Sequence, residues 1–552
     1  MLILLIICNS ILFYILIFNL GGKMKKNIKF SRRKFTKYMA KSGVAIAALT
    51  SAPMLNHNFL YNSAFAAGHK PLIFAAAEAL TGNWDPTTHT NLGQLIFESY
   101  VFGYLTRCPM RPENPTQLNF ELATEATEID KFTLEFKLRD GVTFHDGKPF
   151  GAEDVKATYE YGSQLDRPAQ WYPGQVDVEV VDRLTVRIKT ERYGYPAGLF
   201  YYLSSFLPIM SADDVANPNK AASRPNGTGA FKFVEQDGNN TIMEANENFF
   251  MGKPKIPRVQ YNYVGDTATR TLGLLSGEYN VTERLEPEQV DTIVAAGGFA
   301  LNQAVSTENK YLWFRCSKPP FNDVNMRKAV AHAIDREGLL SILGISGTHT
   351  GCHVSPVKFG YTDVEGFPEY NPEKCQEYLE KAGYPGGKGL PELEYITSVG
   401  FYPKTKEYGE YITALLNEQG IPVKLSVLEL GAWGNKLYDR DGGGPGHMID
   451  CGWCTGSPEP DLVIRTHFHS SSKRITGIVD PDIDAALDKE RNAPSVGERE
   501  QILKNEVMPL LVDRMPSVPL FGSVFIHAMA EDIKDLYIYP NGMMSAETAS
   551  IG

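Results

Sequence analysis

Cys451-Gly452-Trp453-Cys454 sets two thiols at the spacing of a redox dithiol. Such a pair acts through an ionised sulfur, which a helix N-terminus or nearby cations must stabilise. Nothing in the surrounding residues marks a helix start, and no second CxxC completes a zinc site. Cysteines 108, 316, 352, 375, 451 and 454 therefore read as ordinary buried thiols, with room for one disulfide among them. Ser470-Ser471-Ser472-Lys473 has the S-x-x-K spacing of acylating serine enzymes. The Lys-Thr-Gly partner motif is absent, as are G-x-S-x-G and H-E-x-x-H, so catalysis is not expected. His467-Phe468-His469 places two imidazoles at i, i+2, which share a face on a strand but not on a helix. His349, Cys352 and His353 form a second short cluster, in a run that reads as an irregular loop. Two thin clusters predict no metal site and no cofactor. His145 lies between the turn dipeptides Asp140-Gly141 and Asp146-Gly147. No nucleophile pattern accompanies it, and a structural hydrogen-bonding role is expected. Gly227 and Gly229 are read as glycines needed for backbone angles closed to other residues. No Lys-Ser/Thr follows them, so they make no phosphate cradle.

The elements that must carry these residues alternate strand and helix. Phe132–Arg139 and Leu184–Lys189 alternate apolar and polar and predict half-buried strands; Thr241–Asn246 is a weaker third. Asp323 caps a predicted helix carrying Met326, Val330 and Ile334. Asn371-Pro372 opens another, with Cys375, Tyr378, Leu379 and Ala382 on one face and Gly383 at its end. Tyr408, Tyr411, Ile412, Leu415 and Leu416 form a third stripe, closed by Gly420, and Ile421–Leu428 then reads as a strand. These stripes are core, and their order predicts an α/β architecture.

The N-terminus reads as a leader. Ser31-Arg32-Arg33-Lys34-Phe35 is a twin-arginine pattern, followed by an Ala-rich stretch from Ser42 to Ala52 and a small-residue cleavage site, Ala64-Phe65-Ala66. Residues 1–66 are expected to be removed and the remainder to work in the periplasm. Ahead of this, Met1–Leu20 is apolar and long enough to span a bilayer. An anchor and a start at Met24 are both open. The start at Met24 is preferred, because Met24-Lys25-Lys26-Asn27 opens a basic segment and a spanning helix before a second export signal would be redundant. The leader holds nine Lys and Arg and no acid, so the other 486 residues carry 45 basic against 65 acidic side chains, a net −20. So acidic a body excludes nucleic-acid binding and docking on anionic lipid. Its length predicts at least two lobes.

Five blocks, in order, carry a resemblance. They are Leu138–Phe150 with Ala152–Val155, Asn226–Phe231, Asn248–Pro254, Pro320–Val330 with Ala333–Asp335, and Tyr370–Lys374 with Ala382–Pro385. Together they resemble the family 5 extracellular solute-binding proteins, the peptide, nickel and oligosaccharide receptors of ABC importers. The resemblance implies a two-lobed α/β periplasmic binding protein fold of the large, cluster C-like type, with a hinge and an inter-lobe cleft. Lobe I would comprise 67–300 and 518–552, and lobe II 301–517. It also implies a monomer that takes a small-molecule solute and hands it to membrane permease subunits.

Cys451–Asp461 is similar to the family's G-W-x-x-D-x-x-D/E-P block, which lines the cleft. The position that would hold an ammonium-binding aspartate is Gly456. The loop Ser398-Val399-Gly400-Phe401 lacks the arginine that would take a dipeptide's carboxylate. Both absences speak against a simple dipeptide; an oligopeptide or a nickel complex is the alternative to another organic solute. Expected ligand-binding residues are Trp433, Trp453, Cys454, Thr455, Gly456, Phe401, Phe521, Trp171 and Tyr172. Glu459 and Asp461 are read either as polar anchors or as loop-closing and helix-capping groups.

Overall fold

The structure is a computed structural model that describes residues 2–9, 12–19, 24–31, 70–89, 92–108, 117–164, 176–190, 204–205, 207–399, 401–438, 444–472 and 475–552. The chain divides into two units, Met1–Lys70 and Pro71–Gly552. In the first, Leu2–Asn9, Leu12–Asn19 and Met24–Ser31 pair as an antiparallel three-stranded sheet. Arg32, Arg33, the Ala-rich stretch and the Ala64-Phe65-Ala66 site lie outside the described residues, as do Trp171 and Tyr172. Among the described residues, no helix is long and apolar enough to cross a membrane.

The second unit is built on an eleven-stranded mixed sheet. Its middle is a pair of long antiparallel strands, Phe299–Phe314 and Ser517–Ala530. On one side lie Val281–Thr282, Leu72–Ala76, Arg258–Tyr263 and a hairpin, Asn240–Ala245 with Phe231–Asp237. On the other lie Met448–Trp453, Leu393–Val399 and Val423–Glu429. A separate four-stranded sheet contains Thr133–Leu138 and Thr185–Lys189, where the expected alternation buries Leu134, Phe136, Val186 and Ile188.

Burial is segregated along the chain. One core draws its buried residues from Tyr311 to Phe521. The other three use only residues up to Ile293 and from Phe525 onward. The predicted helices form where their caps stand. Asp323 accepts from the Asn325 N–H ahead of Val324–Ala333, and Asn371 accepts from Lys374 N–H ahead of Pro372–Lys381. Thr405–Glu418 buries Tyr408, Ile412, Leu415 and Leu416.

His145 is structural. Its N–H donates to the Gly227 carbonyl (2.8 Å), its ring Nε2 meets the Gly229 carbonyl (3.0 Å), and burial pushes its pKa down to about 4. The reason for the two glycines differs from the expected one, since neither stands in the left-handed region. They are needed for close approach: a Cβ at Gly227 would fall on the Val101 carbonyl oxygen, and one at Gly229 on that of Tyr100. Backbone cannot yield as a side chain can. Gly227→Ala is therefore expected to cost about 1–3 kcal/mol of stability. Denaturant midpoints check this, and an unchanged midpoint refutes the packing account.

Candidate functional site

Parallel strands deliver their carboxyl ends to one place, where α/β sheets commonly bind ligands. Leu72–Ala76 runs into Ala77 and Glu78, Val281–Thr282 into Glu283 and Arg284, Leu393–Val399 into Phe401 and Tyr402, and Val423–Glu429 into Leu430. Met448–Trp453, parallel to Leu393–Val399, ends on the tryptophan and leads to Cys454, Thr455 and Gly456. These ends surround a cavity of about 670 Å³.

The long strand Phe299–Phe314 crosses its floor. Its register with Ser517–Ala530 breaks between Val305 and Asn309 and again between Lys310 and Tyr311. A break of this kind re-aims side chains, and Glu308 reaches the cavity from within it. Gly452 makes room for that acid, because a Cβ there would fall on the Glu308 carboxyl group. Ser523 Oγ donates to Glu308 Oε1 (2.6 Å). Burial pushes the Glu308 carboxyl above its usual range, against the smaller opposing effects of Ser523, Lys310 and Arg284.

Arg284 pairs with Glu78 (2.7 Å) and lies 4.7 Å over the Phe401 ring. Trp433, on the helix Leu430–Leu437, donates its indole N–H to the Asp450 carbonyl (3.2 Å) and meets Tyr402 edge to face. Trp453 is half-buried and stands edge-on to His467, with centroids 4.3 Å apart.

The structure thus brings Trp433, Trp453, Cys454, Thr455, Gly456 and Phe401 into one cavity wall. Phe521 lines a smaller adjoining chamber instead, and its ring meets Tyr408 edge to face. Glu459 and Asp461 turn away from the cavity. Glu459 pairs with Arg499 (2.5 Å), and Asp461 with Arg465 (3.1 Å) and with Arg491. Burial alone would raise the Asp461 carboxyl, but Arg491 and Arg465 hold it well below the usual carboxylate range. These two acids close the loop and start the helix Asp461–Phe468. Lys358 braces the same loop from beneath: its Nζ donates to the Ser457 carbonyl (3.2 Å) and to Thr455 Oγ1.

The reactive-looking motifs do other work. Cys451 and Cys454 are free thiols that burial pushes up to about 12 and about 11. Burial thus favours the protonated thiols over the ionised sulfur that a redox pair acts through. Cys108, Cys316, Cys352 and Cys375 are free as well. Ser470 N–H donates to Asp484 (2.8 Å), and Lys473 lies outside the described residues. The histidines do not converge. His467 is buried against Trp313 and Trp453, while His469 stands 3.4 Å from Asp488. His353 Nε2 meets the Ser517 carbonyl (3.0 Å), and His349 is exposed beside Asp363. Among the described residues, no group of three or more His, Cys, Asp or Glu is placed to hold a metal ion.

Sequence reasoning missed Glu78, Arg284, Glu308 and Tyr402. One signal was available: Ser306-Thr-Glu-Asn-Lys310 is a polar run set between Ala304-Val305 and Tyr311–Phe314.

Known proteins are similar to this chain in sequence and fold. The family model for bacterial extracellular solute-binding proteins, family 5 Middle, matches residues 117–474. The glutathione-binding protein GsiB of Salmonella paratyphi A is 24% identical over 438 residues, which cover 76% of this chain and 84% of that protein. The dipeptide-binding protein of Escherichia coli K12 is 22% identical over 461 residues, covering 77% and 84%. Among solved structures, the oligopeptide-binding protein AppA of Bacillus subtilis, in complex with a nonapeptide, has a TM-score of 0.73 at 20% identity. That match covers 88% of this chain and 99% of AppA. NikZ of Campylobacter jejuni, in complex with Ni(L-His), has a TM-score of 0.73 at 21% identity, covering 87% and 98%. The two-lobed α/β periplasmic binding protein fold is common to all of these structures and to this chain.

Proposed function

Because the chain belongs to the bacterial extracellular solute-binding proteins of family 5, we propose that its 670 Å³ cavity receives a small organic solute for delivery to the permease subunits of an ABC importer. The observation that carries this reading is the cavity wall itself. Trp433, Trp453, Phe401 and Tyr402 supply broad, stiff apolar contact, and Arg284, Glu78 and Glu308 stand among them.

The lobes are taken as 67–300 with 518–552, and 301–517. Segregation of the buried cores about Tyr311 and Phe521 supports that division. Arg284 over Phe401, and the ion pair of Lys404 with Glu288 (2.5 Å), would then be contacts between lobes. Ligand touching both lobes favours closure by its differential affinity for the closed state. The protein acts as a monomeric receptor and not as an enzyme, in the periplasm, after export by the twin-arginine route.

Gly456 leaves the ammonium position of the dipeptide receptors empty, and the ligand is not a simple dipeptide. The names of relatives point to glutathione, larger peptides and a nickel–histidine complex as the first compounds to try. The scattered histidines favour an organic ligand over nickel.

The test is mass spectrometry of whatever denatured, purified protein releases, beside a thermal-shift panel of glutathione, oligopeptides, opines, oligosaccharides and nickel–histidine. Binding to the folded state raises the melting temperature. A released or stabilising organic molecule is expected. Stoichiometric metal alone, or no stabilising compound, overturns the reading.

A further inference from the structure

We propose that a side chamber of the cavity is the socket for a carboxylate of the ligand, received by Lys310, Ser346 and Arg284; this rests on the receptor reading above and narrows it to acidic solutes. The chamber holds about 40 Å³ and adjoins the main cavity, sharing Arg284, Glu308, Phe401, Tyr402 and Phe525 with it. That is space for a water or a carboxylate group, not for a whole side chain.

Two of its donors, the Lys310 ammonium and the Ser346 hydroxyl, have no hydrogen-bond acceptor. Lys310 is fully buried, and its Nζ has no hydrogen-bond partner. The ammonium rests 3.1 Å from the centre of the Tyr402 ring, with Asp450 3.5 Å away. The Ser346 hydroxyl is also buried and without a partner. Arg284 presents a guanidinium, with its fork of five donors, and the partner it holds is Glu78. Its backbone stands in the left-handed region, φ 48°, which a non-glycine residue adopts only at a cost and which recurs at ligand sites. Glu308, the acid already in the chamber, accepts from Ser523 through Oε1.

A buried ammonium and hydroxyl without acceptors are costly. A carboxylate brings two oxygens with about four acceptor sites, enough for Lys310, Ser346 and Arg284 together. Because Glu78 and Asp450 stand opposite Arg284 and Lys310, the chamber has no net positive charge to draw an anion in, and the carboxylate would be held by the directed donors of Lys310, Ser346 and Arg284. The wall at Phe401, where the loop itself has no arginine, still carries a cation.

The test uses propionate, with propionamide as its uncharged counterpart, on unliganded protein at matched ionic strength, read by saturation-transfer NMR. Saturable propionate binding, absent for propionamide, is expected. Ser346→Ala should weaken it at least threefold at an unchanged unfolding midpoint, and Lys310→Met should abolish it. If Lys310→Met fails to fold, the Ser346→Ala comparison decides. No saturable propionate binding, equal binding of the amide, or full affinity in Ser346→Ala overturns the socket. So does a released ligand without a carboxylate, which would leave the receptor reading intact.

Discussion

Trp453→Ala is expected to weaken binding of the released solute at least a hundredfold, about 2.7 kcal/mol, with the fold retained. Large aromatic side chains in the middle of an interface carry losses of this size. Trp453 suits the test better than Trp433 because the two indoles are held differently. Trp433 is 5% exposed, sits in the core built from Tyr311 to Phe521, and donates to the Asp450 carbonyl. Removing it would cost several kcal/mol of stability and leave a buried acceptor unpaired, which would confound any effect on binding. Trp453 ends its strand half-buried at the cavity wall, packed edge-on against His467. Its removal takes contact area from the ligand and comparatively little from the core. Calorimetric titration of wild type and variant with the solute identified by mass spectrometry gives the ratio. An unchanged affinity removes Trp453 from the site.

What the sequence made legible follows from what periodicity encodes. Thr405–Glu418 formed because an apolar stripe at helical spacing demands one buried face, and Val324–Ala333 began at Asp323 because a carboxylate can satisfy a helix's free N–H groups. The tryptophan block was readable because Cys451–Gly456 lies in one continuous stretch, at a strand's end. Arg284 was hidden for the opposite reason. It follows a strand of only two residues, Val281–Thr282, too short to show alternation, and its neighbours in space, Glu78 and Phe401, lie far along the chain. Ser306–Lys310 gave no sign of a site because five polar residues in a row normally face water. Here all five are buried: Thr307 donates to the Thr455 carbonyl and Asn309 to Thr350, while the Lys310 ammonium has no hydrogen-bond partner. Gly227 was singled out correctly but for a conformational reason, while the true cause, the Val101 carbonyl pressed against it, is tertiary. The charges that decide what the cavity can hold come from such non-local encounters, which no local pattern announces.

Glu283→Gln is expected to raise stability at pH 8 by on the order of 3 kcal/mol and to leave it unchanged near pH 4. Glu283 lies between the strand Val281–Thr282 and Arg284, 3% exposed. Its Oε2 accepts from the Ala77 N–H (3.2 Å), and its Oε1 has no hydrogen-bond partner. Burial pushes its carboxyl from 4.5 up to about 7, against the Ala77 hydrogen bond and the attraction of Arg284 and Arg270, while Glu78 adds repulsion. The folded chain therefore holds a proton that the unfolded chain has released between pH 4.5 and about 7. The group's favourable contribution is complete below 4.5, fades as pH rises through that window, and is gone above it. Each pH unit is worth about 1.4 kcal/mol, which sets the magnitude. Glutamine keeps the acceptor for Ala77 and removes the titration. Urea midpoints at pH 4 and pH 8 check the sign, and a gap of equal size at both refutes it. The residue's neighbours give the result its functional weight, since Ala77 and Arg284 both line the cavity. Should the glutamine variant gain stability yet bind its solute less tightly, Glu283 is an acid kept for the site at the expense of the fold.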